Sequence, residues 1–332
     1  MSLISTSLVI AIALFPTSGA LGAALSAPGR TPALAPIPVI LCTDIGDDID
    51  DTWALVMLLK SPELDLRLVV TTYGKADYRA RIVAKILTVA GRTDVPVGLG
   101  AGGCDGAGGQ EAWIRDFPLA GYAGKVRKDG ARAVLEEIRN SPRPVTLIDI
   151  GPSTTVAEAL RLDPTIAPKT SFVGMQGSVR KGYDGGAAGP EWNVKADVPA
   201  ARATLLAPWR RTIITPLDTC GLVRLGGETF RTVRGNPDPL VRALMENYRL
   251  WAKKGSLEEL AESSVLFDTV AVYLAFPGPK PLLSMEDLAL SVADDGMTRI
   301  DPSGARMSVA TSWTDLGEYG RMLARRLGGR KP

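Results

Sequence analysis

Pro38-Val-Ile-Leu-Cys42-Thr-Asp44-Ile-Gly-Asp47-Asp48-Ile-Asp50-Asp51-Thr-Trp53-Ala-Leu55 joins an apolar run to five carboxylates within eight residues. The run before Cys42 has the composition of a buried strand, and Trp53–Leu59 continues as an apolar, helix-like stretch. Carboxylates packed this closely at a strand end repel unless some protonate or a cation sits among them. Hard divalent cations take oxygen ligands of this kind. The loop therefore reads as a Ca²⁺ or Mg²⁺ site at the C-terminal edge of a parallel sheet, where open α/β folds bind ligands. An acidic helix cap followed by a solvated turn accounts for two acids, not five.

Working outward, Pro38–Leu41 is expected as a strand with a helix from Thr52 to Lys60, and Leu66–Thr72 as a strand with a helix over Tyr78–Ala90. Val95–Leu99 is a short strand that meets a Gly-rich loop, Gly98–Gly109. A helix over Gly130–Asn140 precedes a buried strand, Pro144–Ile150, then a helix over 153–162 and a strand at Thr170–Met175. A second Gly-rich loop reaches Gly189, followed by helix Pro199–Leu206 and strand Arg211–Thr215. Strands and helices alternating at this spacing mean βαβ units and a mostly parallel sheet. Beyond Pro216 helices are expected at Pro239–Lys253 and Ser264–Ala275, then strands Ala289–Val292 and Ala305–Thr311 and a helix over Leu316–Leu327. No linker-like break or internal repeat intervenes. Residues 36–330 are therefore expected to form a single α/β domain, a mostly parallel central sheet flanked by helices.

The chain has 332 residues, 45% of them hydrophobic, enough for one large core. Its 38 basic and 36 acidic residues give a net charge of +2 and no electrostatic case for nucleic acid or an anionic membrane. Small soluble ligands are the better expectation. There is no histidine, so Ser-His-Asp and Cys-His pairs are excluded, and with them the commonest general acid–base and zinc ligand. Cys42, Cys104 and Cys220 are an odd, widely spaced set, expected as buried thiols rather than a disulfide framework. Residues 1–30 carry a short apolar core, Leu8–Phe15, then small residues up to Arg30, with no basic residue before it. This matches a secretory leader more than a membrane span, so export is expected; the alternative is an extension outside the fold. No later segment is apolar enough to span a membrane.

Three further stretches place polar groups where strands end or helices begin. They are Asp149-Ile-Gly-Pro-Ser-Thr154, Gly189-Pro-Glu191-Trp192-Asn193 and Ser263-Ser-Val-Leu-Phe267-Asp268. Taken singly, Ser153 or Thr154 caps a helix and Asp268 caps another. Glu191 and Asn193, two apart in extended chain, would face one side and suit a polyhydroxylated ligand. In this order, with the acidic loop first, the motifs resemble the inosine-uridine preferring nucleoside hydrolase family. The likeness runs from about Pro38 to Phe276 and includes Val69–Thr72, Val173–Met175 and Thr215–Asp218.

The resemblance implies a Rossmann-like core and Ca²⁺-dependent hydrolysis of the N-glycosidic bond of a ribonucleoside or related N-ribosyl compound. It implies Asp44, Asp51 and Asp268 as carboxylate ligands of the ion and Thr154 as a ligand through its carbonyl. Asp50, Glu191, Asn193, Met175 and Trp192 become substrate contacts, with Asp44 also the base that takes the proton of the attacking water. Relatives form dimers or tetramers, so a homo-oligomer is implied. An oxocarbenium-like sugar left by the departing base is the species that nearby carboxylates stabilise.

Departures from the family pattern are specific. Cys42 stands where the fingerprint has its first Asp, and two extra residues lie between Asp44 and Asp50. Phe267 stands where a histidine often protonates the leaving base, which leaves Tyr183, Asp184 or water for that task. Asn positions of the family fall near Lys75 and among Tyr183, Asp184 and Gly185. Trp192, Tyr248 and Trp251 are the aromatics available to stack on a base. A non-catalytic, Ca²⁺-dependent ribosyl or sugar binder on the same scaffold is the alternative. A Mg²⁺ phosphohydrolase ranks last, because Gly98–Gly109 carries no Lys to cradle phosphate.

Overall fold

The computed structural model describes residues 35–100, 105–276, 278 and 281–328. The leader-like residues 1–30 and Cys104 lie outside them. Ten strands form one sheet: β1 (Ile37–Thr43), β2 (Leu64–Thr71), β3 (Val97–Gly98), β4 (Val126–Arg127), β5 (Thr146–Asp149), β6 (Ser171–Met175), β7 (Arg211–Thr215), β8 (Leu283–Val292), β9 (Thr298–Ile300) and β10 (Ala305–Trp313). Their spatial order is β4-β3-β2-β1-β5-β6-β7-β10-β8-β9. Pairing is parallel from β4 across to β10, and β8 and β9 add an antiparallel edge. The mostly parallel α/β architecture expected from the alternating pattern is present.

β1 shows why. Val39 and Leu41 pack into one apolar cluster, while Ile40 and Cys42 pack into another. Alternate side chains of one strand thus enter cores on opposite faces of the sheet, so the strand reads as a continuous apolar run. Helices Asp50–Leu59, Ala76–Val89, Pro239–Trp251, Thr269–Leu274 and Leu316–Leu327 cover the first face, and Gly130–Asn140, Thr154–Leu162 and Val198–Leu205 the second.

Strand order reverses at β1, whose neighbours are β2 on one side and β5 on the other. A crevice opens at such a switch point, beyond the carboxyl ends of the strands. The acidic loop leaves β1 there, and Ile150–Ser153 leaves β5 beside it.

Several elements depart from the sequence expectation. The helix drawn from Ser264 begins only at Thr269. Residues before it run alongside 223–225, with Ser263 N–H donating to the Leu225 carbonyl (2.9 Å) and Leu266 N–H to that of Val223 (2.9 Å). This places Asp268 at the helix start. Strand β8 begins at Leu283, its outer half hidden in the sequence by Glu286 and Asp287. A further helix, Gly227–Arg234, and the short strands β4 and β9 were not anticipated. Cys42 and Cys220 are buried free thiols, as expected. Among the described residues no helix is long and apolar enough to cross a membrane.

Trp53 is fully buried on helix Asp50–Leu59, edge-on to Tyr248 at 5.8 Å, and among the described residues its indole N–H has no partner. Trp53→Ala is expected to cost about 3–5 kcal/mol in urea unfolding. Trp53→Phe, which also removes the unpartnered donor, is expected to cost about half that or less. Equal losses would show that a phenyl ring restores none of the packing and that the full indole is required.

Candidate active site

A cavity of 330 Å³ at the switch point is lined by Asp44, Asp47, Asp48, Asp50, Asp51, Ile150, Met175, Tyr183, Glu191, Trp192, Asn193, Phe267 and Asp268. Eight of the nine residues singled out from the sequence as site residues line it. Thr154 does not. Its hydroxyl lies 2.8 Å from that of Thr72 and accepts from Tyr73 N–H at 3.1 Å, so it ties the start of its helix to the end of β2. The backbone that reaches the cavity from this segment is that of Ile150, whose carbonyl accepts from Asn193 Nδ2 at 3.3 Å.

Asp50, Asp51 and Asp268 each offer a carboxylate oxygen, all within 4.8 Å of one another, and all three residues are buried. Burial pushes Asp51 and Asp268 well above the usual carboxylate range, and their acidic neighbours push further. Asp50 is raised to about 8 by burial and by Asp48, and Asp44 to about 6 by burial and Asp47. Arg79 offsets this only in part for Asp44 and Asp51, and its guanidinium, like the Lys75 ammonium, is paired directly with Asp47. An all-oxygen, buried, unneutralised donor set fits a hard divalent cation. Asp44 stands beside this trio rather than within it, and Trp192's side chain is among the groups that lower its pKa against the effect of burial. A Cβ at Gly151 would lie 2.7 Å from Asp44 Oδ1, so glycine there lets the carboxylate reach its place.

The loop from Asp44 to Ile49, which leads into the helix bearing Asp50 and Asp51, has no regular structure and is strapped from several sides. Thr43 Oγ1 donates to Asp51. Tyr78 Oη donates to the Gly46 carbonyl (2.8 Å), Gln110 Nε2 to that of Asp48 (2.7 Å) and Trp251 Nε1 to that of Asp47 (3.0 Å). Arg79 is fully buried and donates to Asp47 Oδ2 (2.9 Å) and to the carbonyls of Ile45 and Gly74 (both 3.0 Å). Gly46, at φ +125°, makes the turn that brings its carbonyl to Tyr78. None of these straps was picked out from the sequence, because only the fold brings them to the loop.

Glu191 and Asn193 do not lie in extended chain. Glu191 caps the short helix Trp192–Ala196, accepting from Asn193 N–H (2.7 Å) and Val194 N–H (3.3 Å), and from Gly177 N–H (2.9 Å). Burial still raises it to about 7. Asn193 uses its amide hydrogens on the carbonyls of Ile150 and Met175, the latter at 3.0 Å. Its own carbonyl oxygen is left for a ligand. Tyr248 and Trp251 stack on each other at 5.8 Å and are not part of the lining, so Trp192 alone of the three named aromatics meets the cavity. Asp149 was also missed. It pairs with Cys42 across β1 and β5, is fully buried and raised to about 8, and has one oxygen bonded by Ser153 (2.6 Å) and the other, among the described residues, without a partner.

A carboxylate-lined cavity at the switch point of a parallel sheet defines an α/β enzyme with a small-ligand site. The model of the inosine-uridine preferring nucleoside hydrolases matches residues 39–326, and the chain belongs to that family of N-glycosyl hydrolases. Pyrimidine-specific ribonucleoside hydrolase RihA of Enterobacter sp. (strain 638) is 31% identical over 223 residues, 60% of this chain and 67% of that one. Its namesake in Salmonella newport (strain SL254) is 29% identical over 222 residues, with the same coverage. Among solved structures, a plant nucleoside hydrolase superposes with a TM-score of 0.72 at 20% identity over 88% of this chain and 99% of that one. A purine-preferring ribonucleoside hydrolase from Gardnerella vaginalis gives 0.70 at 20% identity over 88% and 98%.

Carboxyls with raised pKa hold protons in the native state that the unfolded chain, with carboxylates near about 4, has released. Without a cation, folding stability is therefore lost as pH rises from about 4 through the raised values of Asp44 and Asp50. A bound cation takes the place of those protons. With chelator, Tm is expected to decline from about pH 5 to about pH 8, and added divalent cation should raise Tm more at the upper end. A Tm indifferent to both would refute the cation site.

Proposed function

We propose that the protein hydrolyses the N-glycosidic bond of ribonucleosides with Ca²⁺ bound at the acidic cluster. The observation that carries this is the meeting of Asp50, Asp51 and Asp268 with Asp44 and Asn193 in one cavity. Asp51 and Asp268 would hold the ion together with Asp50, and the Ile150 carbonyl takes the place assigned from the sequence to Thr154. Ca²⁺ at that position supplies positive charge that orders the sugar hydroxyls and makes water easier to deprotonate.

The chain's own groups do the rest. Asp44, seated close against Gly151, takes the proton of the attacking water. The carboxylates around the cavity stabilise the positive charge that develops on the sugar as the base departs. Asn193 presents its carbonyl oxygen to a ribose hydroxyl, while Glu191, committed to three backbone N–H groups, shapes the ribose pocket more than it binds it. Met175 and Trp192 line the space left for the nucleoside. Since the RihA relatives are named pyrimidine-specific, uridine and cytidine are the first substrates to try.

Base release from a panel of purine and pyrimidine ribonucleosides, with Ca²⁺ and with chelator, tests the proposal. Release should need the ion and should fall at least about 100-fold in Asp51→Ala. Tight Ca²⁺ binding with no release from any nucleoside would favour the sugar-binding alternative.

A further inference from the structure

The departing base must be met by something other than histidine, and the sequence leaves Tyr183, Asp184 or water. Geometry separates the two side chains. Asp184 is absent from the cavity lining, its side chain 83% exposed and 3.6 Å from Arg224. Tyr183 lines the cavity together with Asp44 and Asp50.

The lining contains few donors. Apart from the carboxyl groups, only Tyr183, Trp192 and Asn193 among the lining side chains carry an N–H or O–H. Asn193 spends its amide hydrogens on Ile150 and Met175, and the Trp192 side chain acts on Asp44, whose ionised form it favours. The Tyr183 oxygen accepts from the Trp192 backbone N–H at 3.2 Å, and among the described residues nothing takes its O–H. The ring is held edge-on to Phe267 at 6.0 Å, the residue at the position where relatives often place a histidine. Burial and Glu191 push the phenol up to about 12, so it keeps its proton at neutral pH.

We propose that Tyr183 is a catalytic residue that donates a hydrogen bond to the departing base. This rests on the hydrolase reading above and adds the group that meets the leaving side. As the C1′–N bond breaks, its electron pair stays on the base, and the Tyr183 O–H stabilises the negative charge that develops there. Water oxygen bonds to C1′ and its proton passes to Asp44. The base leaves as a hydrogen-bonded anion and is protonated by solvent, and Asp44 returns its proton to solvent. Tyr183 is neither consumed nor ionised.

Such a donor matters only where the leaving group is poor. Tyr183→Phe in the full chain with Ca²⁺ is expected to lower kcat for the best nucleoside about 100-fold. Its kcat for p-nitrophenyl β-D-ribofuranoside, whose leaving group needs no help, should stay within about two-fold. KM should change little for either. Equal losses on both substrates would make Tyr183 a structural support of Trp192, and no loss on either would remove it from the chemistry. Wild-type turnover of the activated riboside establishes the hydrolase independently of Tyr183. If the wild type turned over neither substrate, the hydrolase reading and the role of Tyr183 would fall together.

Discussion

Electrostatic repulsion among buried carboxylates is the constraint around which this molecule is arranged. Asp50, Asp51 and Asp268 bring carboxylate oxygens within 4.8 Å of one another, and Asp44 stands beside them. Left alone, such a cluster would protonate or push its loop into water. It is kept in place because the loop's backbone is tied down independently of its charges. Arg79, Tyr78, Gln110 and Trp251 hold it by carbonyl oxygens, while Arg79 and Lys75 form ion pairs with Asp47. The scaffold thus carries the cost of the cluster, which is left as an unneutralised set of oxygens of the sort a hard cation completes.

Two substitutions at the heart of the site are answered by neighbours rather than by isosteres. Cys42 removes a carboxylate from the end of β1, yet its partner across the sheet, Asp149, brings a fully buried one in register with it. Phe267 replaces a titratable ring with an inert one, and that ring packs edge-on against Tyr183, which carries a hydroxyl. In each case a polar group stands on an element adjacent in space and remote in sequence.

The fold was legible because both faces of the sheet are buried. Continuous apolar strands such as Val39–Leu41 and Leu147–Ile148, separated by helices, leave few other arrangements. Legibility failed where local pattern and environment part company. Ser264–Leu266 is apolar enough for a helix but pairs with 223–225, and Glu191 and Asn193 read as extended although Glu191 is a cap. Asp149 escaped notice because a single acid ending a strand says nothing about whether water reaches it.

The order of motifs, the density of acids after β1 and the absence of histidine are properties of the chain itself, and they pointed to the family and excluded histidine-based chemistry. Which carboxylates meet was decided only by tertiary structure, since Asp268 joins Asp50 and Asp51 across more than 200 residues. The same holds for Ile150 in place of Thr154 at the cavity, and for Tyr183 over Asp184. The reason is physical: a side chain's type is written in the sequence, but its direction and its exposure to water depend on what the fold packs against it.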